Sequence, residues 1–177
     1  MNQKLKEAFD QVERRKEKLL IDLDKIDDDL INKKPAQNQW SILQVLKHVS
    51  DVERSSLNYC KKKIKAGDGI PNATIVDGIK MKLYTAGLLT SIKFRMPSNL
   101  SQPEENLNYT EVCSDWHNTR ENLKKFASDY PNEFLNKAIY KNPLVGRTRL
   151  ENMIKFFDAH LAHHEYQVAR ITKSFNN

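Results

Sequence analysis

This sequence predicts an all-α four-helix bundle with long crossover connections, and two observations carry the prediction. Only five Gly and six Pro occur in 177 residues, about half the usual share of the residues that most strongly interrupt helices. The apolar residues, 39% of the chain, fall at three-and-four spacing in four stretches. Helices use so modest a supply efficiently, because one stripe each is enough to face a common core. The length makes one domain over residues 1–177 the default, and no internal repeat or interdomain linker divides it.

The first helix is expected from Leu5 to Leu30, where Leu5, Ala8, Val12, Leu19, Leu23, Ile26 and Leu30 keep the helical period among charged residues. Pro35 closes the connection that follows. Ser41 and Gln44 then form a capping box, each side chain satisfying the other's backbone at a new helix start, with Trp40 placed to cover it. This second helix carries Ile42, Val45, Val49, Val52, Ser56 and Tyr59 on one face and ends near Gly67. Residues 70–103 are the least regular, with one or two short helices expected between Ile75 and Ile92 and a polar loop punctuated by Pro97 and Pro103. A third helix, starting at about Glu104 or Tyr109, runs to Ser128 with Val112, Trp116, Leu123, Phe126 and Ala127 inward. An irregular stretch from Pro131 to Gly146 leads to the fourth, about Thr148 to Ser174.

Several function classes fall away. The longest uncharged apolar stretch, Leu83 to Ile92, is far too short to span a bilayer, so no membrane association is expected. The charged N-terminus lacks the apolar core of a signal peptide, which makes a cytoplasmic location the expectation. Cys60 and Cys113 have neither disulfide-framework nor zinc-ribbon spacing and read as ordinary thiols. The net charge of +6 comes from clusters such as Arg14-Arg15-Lys16 and Lys61-Lys62-Lys63. These read as solvated helix faces interspersed with Glu and Asp, without aromatic interleaving, and this argues against nucleic acid as a partner.

The fourth helix holds the most informative pattern. Leu150, Met153, Phe157, His160, His164, Gln167 and Ile171 form one seam whose middle has changed from apolar to polar. His160 and His164 lie about 40° apart around the helix and about 6 Å along it, which suits two nitrogens converging on one divalent cation. The residues between them are Leu161-Ala162-His163, so the glutamate of an HExxH protease is missing. A metal such as zinc or nickel normally takes at least three protein ligands. His48, seven residues after Ser41 and bordering the second helix's apolar stripe, is chosen as the third, with His117 the weaker candidate. His163 reads as a surface or supporting residue, although a shifted register would pair it with His160. Gln167 is placed to hydrogen-bond a metal-bound water or a substrate group, and Asp51, one turn beyond His48, to act as a supporting acceptor or base.

The segment Trp40-Ser-Ile-Leu-Gln-Val-Leu-Lys-His48, then Pro143-Leu-Val-Gly-Arg147, then His160-Leu-Ala-His-His164-Glu-Tyr-Gln167 resemble, in this order, the DinB/YfiT-like superfamily of bacterial proteins. The resemblance implies a homodimeric four-helix bundle with a long crossover. It also implies one divalent metal ion, zinc or nickel, held by His48, His160 and His164 with solvent-filled positions left open. Some members are thiol S-transferases that use low-molecular-weight thiols such as bacillithiol or mycothiol, and others are described as metal-dependent hydrolases. The function expected is therefore a metal-dependent enzyme acting on a small molecule, hydrolase or thiol S-transferase. The alternative is a non-enzymatic protein that binds a metal or small ligand in a stress response. Catalytic residues beyond the histidines are not identified by sequence.

Overall fold

The computed structural model describes residues 1–67, 69–90, 104–105 and 107–175. Four long helices build a bundle: α1 (Gln3–Leu23), α3 (Ile42–Lys65), α5 (Tyr109–Ser128) and α6 (Leu150–Phe175). A single turn, α2 (Asp28–Ile31), and a shorter helix, α4 (Ile75–Leu88), lie in the connections, as does an antiparallel hairpin of β1 (Tyr140–Asn142) and β2 (Gly146–Thr148). None of these helices is long and apolar enough to cross a membrane.

Around the bundle α1 packs on α6 and α5, and α3 packs on the same two helices. Helices α1 and α3 therefore stand diagonally opposite, as do α5 and α6. Each of those two steps along the chain must cross the bundle end, which is why neither connection is a tight turn.

The second helix starts as its sequence dictates. Ser41 Oγ accepts from Gln44 N and Gln44 Oε1 accepts from Ser41 N, both at 3.1 Å, and both residues are buried. The first helix does not run to Leu30: it ends at Leu23, and Asp27 caps the separate turn α2 by accepting from Asp29 N at 3.2 Å. The cause lies in the acid-rich stretch 22–29. Carboxylates oppose the negative end of a helix dipole, and Asp prefers a cap to a helix interior, so Asp stops the helix without any Gly or Pro.

The connections hold two more elements. Of the one or two short helices expected between Ile75 and Ile92, the described residues hold one, α4, started by a reciprocal Thr74 and Asp77 cap; Ser91, Ile92 and the loop with Pro97 and Pro103 lie outside the described residues. The stretch read as irregular before Gly146 holds the hairpin, whose turn uses Gly146 at φ +91° and Asn142 Oδ1 accepting from Leu144 N and Val145 N. Strands of three residues are too short to show alternation in sequence; Tyr140, Asn142 and Thr148 are held by burial against the helices.

The interior divides into two apolar clusters. One gathers Leu5, Phe9, Val12, Leu57, Leu123, Met153 and Phe157, the other Leu19, Leu23, Ile42, Val45, Val49, Trp116, Leu161 and Ile171. Where they meet, the helices contribute charge. Lys16 stands between Val12 and Leu19, Glu53 between Val49 and Leu57, and Arg120 between Trp116 and Leu123. Arg120 is fully buried and forks onto Glu53 at 2.6 and 2.7 Å, and it reaches Glu13 at 3.2 Å. Trp116 Nε1 donates to Glu53 at 2.9 Å, and Lys16 Nζ to Glu13 at 2.6 Å. Lys16 thus belongs to the interior, not to the solvated face assigned to the Arg14-Arg15-Lys16 cluster. Arg15, half-buried, pairs with Asp158 and Glu165 of α6.

Candidate metal centre

Between α3 and α6 the interior holds three histidines in place of charge. The Ser41 cap fixes where α3 begins, and about two turns on His48 faces α6, its ring centroid 5.3 Å from that of His160 and 5.0 Å from that of His164, which lie one turn apart on the buried face of α6. One ring nitrogen from each of His48, His160 and His164 lies within 4.8 Å of the others. The Nε2 atoms of His160 and His164 are 3.1 Å apart. Two ligands at the usual ~2.0–2.1 Å from one zinc ion subtend roughly 100° at that separation, so this pair already has the spacing of two ligand atoms.

The electrostatics suit a cation. Burial lowers the pKa of His48 to about 4, against a smaller opposing pull from Asp51. Burial, with a further push from His48, lowers His164 to about 3, and His160 is driven well below the ordinary value by burial and by the neighbouring His164, His48 and His163. All three rings are neutral at pH 7, with lone pairs available. Gln167 Oε1 accepts from His164 Nδ1 at 2.9 Å, which places that ring's proton on Nδ1 and leaves Nε2 free to ligate. His160 Nδ1 is buried with no hydrogen-bond partner among the described residues. An unpartnered polar atom costs about 1–3 kcal/mol, so core packing alone does not account for the cluster.

The other sequence candidates separate clearly. His117 is exposed on α5, away from the cluster. His163 is half-buried, its Nδ1 3.0 Å from the Leu88 carbonyl at the end of α4, so it ties α4 to α6 and does not replace His164. Asp51 is engaged by Lys47 and Arg54 on its own helix and touches His48 only through its field, because the next turns of α3 supply two cations within reach. Gln167, placed by sequence as a supporting residue, hydrogen-bonds His164 through its Oε1 and also lines the adjoining cavity. Cys60 is packed against Met153 with its thiol pushed up to about 12 by burial, so it offers no thiolate.

Trp40, read as a cover for the helix start, has its ring centroid 5.2 Å from that of His48. Phe156 packs at 5.2 Å from His160 on the other side. The centre opens onto a cavity of about 700 Å³, within the usual range of small-molecule sites.

Comparison with known proteins agrees with this architecture. The family model described as DinB superfamily matches residues 8–168. Among solved structures, the crystal structure of TT2238, a four-helix bundle protein, superposes with a TM-score of 0.60 at 16% sequence identity, covering 93% of this chain and 98% of that one. That likeness shows the fold. No curated protein sequence matches the chain.

Proposed function

The chain belongs to the DinB superfamily, and from that membership together with its three-histidine cluster we propose that it is a metal-dependent enzyme. In this reading it binds one divalent ion, zinc or nickel, through His48, His160 and His164, and acts on a small molecule by hydrolysis or thiol S-transfer. What supports the reading is the convergence of three neutral ring nitrogens, within 4.8 Å of one another, on the wall of a cavity large enough for a substrate. Three imidazoles are a donor set that zinc and nickel accept, and three protein ligands leave a position open. The bound ion would supply Lewis acidity, lowering the pKa of a water or a low-molecular-weight thiol toward neutrality.

The chain's own residues do the rest. Gln167 holds the His164 tautomer, Trp40 and Phe156 flank the rings, and His163 keeps the end of α4 against α6. The homodimer implied by sequence belongs to the same proposal.

Elemental analysis of purified protein beside a His160→Ala/His164→Ala variant tests the metal. About one equivalent of zinc or nickel in the wild type and none in the variant is expected; equal content in both overturns the reading. Ester and electrophile screens with several thiols then test catalysis. Metal bound without turnover above the variant would make the protein a metal or small-ligand binder instead of an enzyme.

A further inference from the structure

The cavity beside the histidines has a polarity of its own. It follows α6 from Phe156 past His160 to Arg170 and Ser174. From Phe156 to Arg170 the rise is about 21 Å at 1.5 Å per residue. At the Phe156 end the walls are aromatic: Tyr84 and Tyr140 stack on Phe156 with ring centroids 5.8 and 6.4 Å away. At the other end lie Arg170 and, from the loop before α3, Asn38 and Gln39. That loop is close because Ile42 and Leu43 share an apolar cluster with Val168 and Ile171.

Among the described residues that line this cavity there is no Asp or Glu, and Arg170 is the one permanently charged side chain. Arg170 is exposed and has neither a hydrogen bond nor an ion pair with any described residue. The helix itself supplies no acidic partner, because the residues three and four positions away are Gln167, Tyr166, Lys173 and Ser174. Glu165, the nearest acid on α6, is already taken by Arg15 at 2.7 Å. An unpaired guanidinium at the polar end of an apolar, carboxylate-free cavity is built for an anion, and a planar two-donor fork matches a carboxylate. Among the described residues Arg170 is the one cation that lines the cavity, Lys173 one turn on lying outside that lining, and a single guanidinium suits one negative charge better than the two of a phosphate.

We propose that the cavity recognises an elongated organic carboxylate, its acid group on Arg170 and its apolar or aryl body toward Phe156, Tyr84 and Tyr140. The middle of such a molecule passes the histidines, since Arg170 lies about 9 Å along α6 from His164. Only the siting of the reaction rests on the proposed metal function; the recognition belongs to Arg170 and is separable from it.

Calorimetric binding of 6-phenylhexanoate and of its neutral amide, 6-phenylhexanamide, tests this with wild-type and Arg170→Met protein, each stripped with EDTA and each loaded with zinc. The wild type should prefer the acid at least tenfold in both states. Arg170→Met should lose that preference while keeping its affinity for the amide, its helical circular dichroism and its zinc stoichiometry. Equal affinity for acid and amide in the stripped wild type overturns the proposal, as does failure of either probe to bind. A preference that survives in Arg170→Met also overturns it, because the carboxylate would then sit elsewhere. Should zinc fail to bind while the Arg170-dependent preference persists in stripped protein, the metal reading falls and this one stands.

Discussion

His48 and Glu53 stand five residues apart on α3, and both are buried, yet the protein treats them in opposite ways. Around Glu53 every charge meets a countercharge: Arg120 forks onto it, Trp116 donates to it, and Glu13 and Lys16 complete the set. Around His48 there is no countercharge in contact. Three neutral rings face one another, and one nitrogen of His160 has no partner among the described residues. A satisfied network has no capacity left for a ligand and serves to join the two halves of the core. A cluster of lone pairs left facing each other retains that capacity, and it is the one that borders a cavity.

The sharpest way to break this contrast is to remove one side of the charged network. Glu53→Ala leaves Arg120 buried with only Glu13 beside it, and the protein should lose about 3–5 kcal/mol in urea unfolding. The paired replacement Glu53→Gln with Arg120→Met should lose less than the single one. A loss below about 1 kcal/mol for Glu53→Ala would mean that water screens the network and that the two clusters do not differ as described.

The histidine cluster should respond to pH in its metal-free form. Its folded pKa values lie below the ordinary 6.5, so as pH falls the unfolded chain takes up protons first. Stability should therefore drop from pH 6.5 toward 4, by at most about 3 kcal/mol from His48 alone. Urea unfolding in EDTA across that window measures the slope, and His48→Gln should lack its share. A flat profile in the wild type would show that the rings are not held neutral by burial.

A smaller effect sharpens the comparison from within the centre. Gln167→Leu keeps the three rings but removes the acceptor on His164, so zinc affinity should fall about 10- to 100-fold in a competitive titration. Unchanged affinity would mean that the packing of α6 alone sets the ring.

Much of this was legible in the residues. The Ser41 and Gln44 box, the seam from Leu150 to Ile171, and His160 with His164 are all local patterns: a cap closes within one turn and a helical face repeats every three or four residues. The break after Leu23 was not legible from Gly and Pro, because Asp did the stopping. Arg120 and Glu53 were hidden by their charge, although their position held the signal. Arg120 follows Trp116 by four residues and Glu53 follows Val49 by four, each in step with an inward apolar series. Charged residues on such a step are buried when partners from other helices reach them, and sequence spacing within one helix does not report those partners.

By itself, then, the sequence determined the four long helices, their faces, and two imidazoles on the inner face of the last one, since each depends on contacts within a few residues. Only the tertiary structure decided which neighbours those faces meet. It set α3 beside α6 so that His48 joins His160 and His164 while His117 stays outside. It also turned Asp51 to Lys47, put Lys16 in the interior and left Arg170 lining the cavity without an ion pair among the described residues. Those outcomes depend on side chains brought together from distant parts of the chain, where burial, not spacing, sets whether a polar group is satisfied, neutralised or left free to bind.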